Sequence, residues 1–132
     1  MKLLLFDSPL FTLYHNPRHE WLHIEWRGIH TQQSVEEYCG MMLEAVRTTK
    51  SRKMLNDASE ILDGWANVSQ WLGEKFLPQL AMAGIESMAL LNAMDWPARL
   101  CVQTMMLHVT EPNVRLFEFD EAIAARQWLD AA

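Results

Sequence analysis

The chain is 132 residues long, half of them hydrophobic and 21% charged, with a net charge of -6 at pH 7. A chain of this composition forms one globular domain, burying roughly two-thirds of the surface exposed on unfolding, and is not a disordered segment. The negative charge repels phosphate backbones, so nucleic acid is not an expected partner. No apolar run approaches the ~18 residues that cross a bilayer, and "MKLLLF" is too short for a signal-peptide core, so stable membrane insertion and export are not expected. Cys39 and Cys101 have no C-x-x-C spacing and read as buried thiols of a cytoplasmic protein.

In chain order, Leu3 to Phe6 is a candidate edge strand. The stretch "LFTLYHNPRHEWLHIEWRG" then alternates on both sides of Asn16-Pro17-Arg18, placing Phe11 and Leu13 on the same face as Leu22, Ile24 and Trp26, and predicts an antiparallel hairpin. Ser34-Val35-Glu36-Glu37 reads as a capping box for a helix to about Thr49, with Val35, Tyr38, Met42, Ala45 and Val46 at helical spacing. Lys53 to Asp57 is a short apolar strand. Val68, Trp71, Leu72, Phe76 and Leu80 mark a second helix, which Pro78 should kink and Gly84 can end. Ser87 to Leu91 is the next strand, and Asp95 caps a helix carrying Leu100, Cys101, Met105 and Val109. Val114 to Phe119 alternates as a strand, and Asp120 caps a last helix ending near Leu129. Strands separated by helices pair in parallel through right-handed crossovers. The expected fold is therefore a single α/β domain over residues 1–132, with a mixed four- or five-stranded sheet, an antiparallel N-terminal hairpin and about four helices.

This order, with "KMLNDAS" and the closing "FEFDEAIAARQWL", resembles the SpoIIAA-like proteins, small bacterial relatives of the STAS domain of sulphate transporters and anti-sigma-factor antagonists. The resemblance implies a STAS-like fold and a non-catalytic module that binds partner proteins or small ligands; a branch compared with CRAL-TRIO carriers holds apolar molecules. In the antagonists, the serine two places after the strand-ending aspartate is phosphorylated, and Asp57-Ala58-Ser59 puts Ser59 at that position. Here Glu60 replaces the glycine that follows it there, and its charge would repel an incoming phosphate.

In open parallel sheets, ligands gather beyond the carboxyl ends of the strands. Asn56, Asp57, Ser59, Glu60, Asp63 and Trp65 follow one strand, and Asn92, Asp95 and Trp96 follow the next, so the two loops are expected to line one acidic crevice with Trp65 and Trp96 as apolar anchors. Each polar residue also has a structural use: Asp57 and Ser59 can satisfy loop backbone, and Asp95 its helix. A receiver-type phospho-acceptor reading of Asp57 fails, because no lysine follows the last strand, "LFEFDEA". No catalytic motif and no cofactor-binding motif occurs, so no enzyme activity and no cofactor is expected.

His15, His19 and His23 recur at intervals of four, but on strands that spacing separates side chains by roughly 13 Å, so no metal site is expected. His30 and His108 lack partners at ligand spacing and read as surface imidazoles. Met41, Met42, Met82, Met88, Met94, Met105 and Met106 fall mostly on apolar faces. They read as core, or, if Met41, Met42, Met105 and Met106 line a cavity, as a pocket for a lipid-like ligand. The favoured function is docking of a partner protein, with an apolar-ligand carrier as the alternative. The oligomeric state is left open, a homodimer among the options.

Overall fold

The computed structural model describes residues 2–62 and 65–132. A six-stranded sheet in the order β1-β2-β3-β4-β5-β6 forms its middle layer. The strands are β1 (Leu3–Asp7), β2 (Phe11–Asn16), β3 (Trp21–Gly28), β4 (Lys53–Ile61), β5 (Ser87–Leu91) and β6 (Asn113–Phe117). The helices are α1 (Gln32–Thr49), α2 (Ala66–Trp71), α3 (Leu77–Ala83), α4 (Trp96–His108) and α5 (Ala122–Ala131). β1, β2 and β3 pair antiparallel, and β3 to β6 pair in parallel. The sheet thus has six strands where four or five were expected, because Leu3–Asp7 is a full member of it.

The hairpin forms as its alternation predicts, with Phe11 opposite Trp26 and Leu13 opposite Ile24. The central strands also pair as expected, Leu55 facing Ala89 and Asn56 facing Leu90. The start of α1 differs. Thr31 is the cap: its hydroxyl accepts from Ser34 N at 3.1 Å, while Ser34 Oγ accepts from Thr31 N at 2.9 Å. A hydroxyl at the third helical position replaces the glutamate of the familiar box, so the helix starts earlier than Ser34. The last helix likewise begins one residue late, with Glu121 rather than Asp120 at its cap and Glu121 Oε1 accepting from Glu118 N at 2.7 Å. The strand before it stops at Phe117 instead of Phe119.

The predicted second helix is split by a π-helical turn, Leu72–Phe76, joining α2 to α3. Leu77 N bonds to Leu72 O across this wider turn immediately before Pro78, whose missing N–H and bulky ring disfavour a continuous α-helical ladder. Gly73 sits in the turn because α4 crosses it closely: a Cβ there would stand 2.4 Å from Met105 O.

Both faces of the sheet are used unequally. Phe11, Leu22, Ile24, Met54, Met88 and Leu90 face α1 to α4 and form the larger core with Val35, Val46, Leu80 and Val102. On the other face α5 covers only part of the sheet, packing Ala125 and Leu129 on Trp21, Leu55, Ala89, Leu91 and Phe117. Burial of one such side chain is worth roughly 1.5–3 kcal/mol, so the first face dominates stability. Cys39 and Cys101 are buried, as expected. Met42, Met54, Met88 and Met105 belong to the core, whereas Met82 and Met94 are exposed, contrary to the apolar faces predicted for them.

Candidate functional site

The polar segment after Leu55 is not a loop. β4 continues through Asn56-Asp57-Ala58-Ser59-Glu60 to Ile61, four residues beyond the predicted end at Asp57. It continues because β3 still offers it a partner: Glu25 pairs with Asp57 and Arg27 with Glu60. Two residues of β3 advance against three of β4, so β4 carries a bulge around Ser59. Asp57 Oδ1 accepts from Ser59 N at 2.9 Å and closes the bulge. The extra residue changes which side chains face inward. Met54, Asn56 and Ala58 point to the larger core, and after the bulge Ile61 does so too.

β5 leaves β4 at Asp57–Leu91, and the segment after it folds back across the end of β4. Met94 N donates to Ser59 O at 3.0 Å, which brings the two expected loops together. Asn92 is buried; its Oδ1 accepts from Ala93 N at 2.9 Å, and its Nδ2 donates to Glu118 Oε2 at 3.5 Å. Arg99 Nη1 donates to Glu118 Oε1 at 2.8 Å and to Ala93 O at 3.0 Å, tying the ends of β5 and β6 to α4. The hydrogen bond from Arg99 holds the Glu118 carboxyl below its usual range. Asp95 caps α4 through Ala98 N at 3.3 Å.

The expected site residues divide accordingly. Ser59, Asp57 and Asp95 are partly exposed, and Glu60 and Trp96 are exposed, Trp96 by 66%. Asp63 lies outside the described residues. Trp65 does not fit the expected role of a surface anchor: it is 5% exposed and packs in the main core. Ile61, re-aimed by the bulge, and Val68, the first buried residue of α2, share that core and carry the intervening tryptophan inward. Sequence reasoning also missed Ile29, Leu62, Met94 and Phe119, each more than two-fifths exposed beyond a strand end. An apolar residue just past the end of a strand pattern was their only signal.

Beside Trp65 lies a cavity of about 40 Å³, lined by Trp26, Met42, Asn56, Trp65, Phe76 and Met105 among others. Trp26 Nε1 donates to Asn56 Oδ1 at 3.0 Å. Of the four methionines named for a pocket, Met42 and Met105 line it, and Met41 and Met106 do not. His30, expected at the surface, also borders it and is buried, its Nε2 at 2.9 Å from Arg27 O and Nδ1 at 3.1 Å from Ser34 Oγ. The rings of Trp26 and Tyr38 pack against it edge-on, and burial lowers its pKa. His108 is a partly exposed imidazole, 3.2 Å from Glu74 Oε1.

On the opposite face, His23, Glu25 and Asp57 bring three donor atoms within 4.8 Å of one another, a grouping that residue spacing along one strand could not reveal. Lys2 Nζ lies 3.3 Å from His23 Nδ1 and, as the donor, leaves the ring proton on Nε2, without a lone pair for a cation there. Arg27 Nη1 stands 3.7 Å from Glu25 Oε1. Glu25 therefore already has a cation beside it, and Asp57 already accepts from Ser59 N. Burial foremost, then Lys2 and Arg126, push the His23 pKa down to about 4.

The family model for SpoIIAA-like proteins matches residues 21–130. The chain belongs to the SpoIIAA-like family. Members of this family are non-catalytic regulators that bind partner proteins. No curated protein and no solved structure gives a significant match to this SpoIIAA-like chain. Among the described residues, no helix is long and apolar enough to cross a membrane.

Proposed function

We propose that this chain is a non-catalytic regulatory module that docks a partner protein at the carboxyl end of its sheet. The observation that carries the reading is an apolar rim there: Ile29, Leu62, Met94, Trp96 and Phe119 are each between 42% and 66% exposed. Leu62 N donates to Gly28 O, next to Ile29, and Met94 N to Ser59 O, so the segments that carry these side chains lie together at one end of the sheet. Large apolar groups on a monomer surface mark interaction sites when they cluster. Glu60, Asp120 and Glu121 lie exposed around the rim, so the partner chemistry it fits is an apolar patch bordered by basic residues. Trp96 would supply the largest contact, with Glu60 and its neighbours tuning the association rate.

Ser59 is part of the same proposal. It stands in the bulge, partly exposed, with Met94 bonded to its carbonyl, so a phosphate on it would sit on the rim beside Glu60 and repel an acidic partner group. The other reading, a carrier of a long lipid-like chain, draws less support from a cavity of about 40 Å³. The test is a pull-down from the source cell with wild-type protein, Trp96→Ala and Ser59→Glu, combined with intact-mass analysis. Loss of one partner with Trp96→Ala, at unchanged thermal stability, is the expected result. Equal capture by all three forms and the absence of phosphate would remove the docking reading.

A further inference from the structure

The cavity holds a feature that packing alone does not explain. Trp65 is only 5% exposed, and its indole Nε1 has no hydrogen-bond partner among the described residues. Asn56, also about nine-tenths buried, spends its Oδ1 on Trp26, while its Nδ2 has only the Met88 sulfur at 4.0 Å, a weak acceptor. Trp65 and Asn56, each with an N–H that meets no oxygen among the described residues, both line one apolar space. Leaving a buried donor unsatisfied costs roughly 1–3 kcal/mol, and native structures seldom carry that penalty without a use for it.

We propose that this cavity is a binding site for a small neutral molecule, apolar in body, with a carbonyl- or ether-type oxygen that accepts a hydrogen bond from Trp65. Among the described residues the lining carries no charged side chain, and His30 is held toward its neutral form by burial, so an ionised carboxylate or ammonium group would find no partner there. The volume sets the size. About 40 Å³ compares with roughly 10–15 Å³ for one water, so the empty site takes a few heavy atoms. Met42 and Met105 border it, and flexible thioethers can repack around a ring-sized guest.

A surface groove adjoins the cavity. It lies between α1 and the π-helical turn, is lined by Glu36, Gly40, Trp71 and Gln79, and shares Cys39 and Phe76 with the cavity. Nothing lies within 4 Å of a Cβ built on Gly40, which leaves the groove open. Phe76 stacks on Trp71 at 5.8 Å, so movement of this aromatic pair in the π-helical turn would join groove and cavity. Such turns recur inside helices at functional sites.

This inference stands apart from the docking reading, since Trp96 and the apolar rim take no part in it. The experiment is a titration of the full-length, nitrogen-15-labelled protein with cyclohexanone, cyclohexane and benzoate, following the six indole N–H resonances by NMR, with that of Trp65 assigned by sequential connectivities. Cyclohexanone is expected to shift the Trp65 resonance saturably and to bind roughly fivefold more tightly than cyclohexane, the effect of one net hydrogen bond. Benzoate should leave that resonance in place. In Trp65→Phe the ketone and the hydrocarbon should bind alike, and Trp96→Ala should reproduce the wild-type titration. An unmoved Trp65 resonance at saturating cyclohexanone, or equal binding of ketone and hydrocarbon by the wild type, would overturn the proposal whatever the pull-down finds.

Discussion

Mild acid should destabilise this protein through His23 before its carboxylates titrate. The ring lies on β3 under Tyr14, with Lys2 at 3.3 Å from Nδ1, Glu25 at 3.9 Å from Nε2, and Asp57 and Arg126 also within electrostatic reach. Asp57 favours the charged ring, but burial, Lys2 and Arg126 outweigh it and lower the pKa from 6.5 to about 4. Below pH 6.5 the unfolded chain takes up a proton that the folded ring refuses until about pH 4. The stabilisation is therefore complete above pH 6.5 and declines as pH falls toward 4. Integrated from pH 7.5 to pH 5, a displacement of this size removes about 2 kcal/mol. Chemical denaturation of wild type and His23→Gln at both pH values measures it. His15 and His30 are displaced in the same direction and contribute to both proteins, so the difference between the two slopes isolates His23. Equal slopes for wild type and variant would refute the reasoning.

Three further outcomes are expected. Gly73→Ala should lower stability by about 1–3 kcal/mol, measured by urea unfolding, because the new methyl group would stand 2.4 Å from Met105 O unless α4 moves. Trp65→Ala should cost about 3–5 kcal/mol and lower the thermal midpoint, as expected of a core truncation and not of a surface one. Asp57→Ala should lose about 1 kcal/mol by releasing Ser59 N, whereas Asp57→Asn, which keeps the accepting oxygen, should remain near wild type in the same assay.

Much of the fold was legible because it rests on local patterns. The hairpin alternation about Pro17, the apolar run at Ser87 to Leu91 and the Asp95 cap each declare themselves within a few residues. The errors arise where a distant strand decides. Asn56-Asp57 interrupts the apolar run, so nothing local predicts that β3 will hold β4 in pairing as far as Ile61. Nor does the sequence announce the added residue at Ser59, which sets Ile61 toward the core and moves Trp65 from an expected surface anchor into it. His30 reads as polar and exposed because its satisfying partners, Arg27 O and the Ser34 hydroxyl, become apparent only once the chain turns at Gly28. The two segments expected to meet do meet, joined through Ser59 and Met94, but one of the two tryptophans expected on the surface faces the core.

The spatial order of the strands is identical to their order along the chain. During synthesis, then, no later strand has to be threaded between two that are already paired. Each one docks on the edge that emerged just before it, and its helix closes over the same side until α5 turns to the other. The growing edge is always the newest segment, which keeps its exposed backbone hydrogen bonds waiting for the shortest interval. A ribosome-bound chain ending after α4 would lack only β6 and the α5 cover over Trp21, Leu55 and Leu91. Successively longer nascent fragments should therefore gain protease resistance in steps, one strand-and-helix unit at a time, with the surface beneath α5 the last to be shielded.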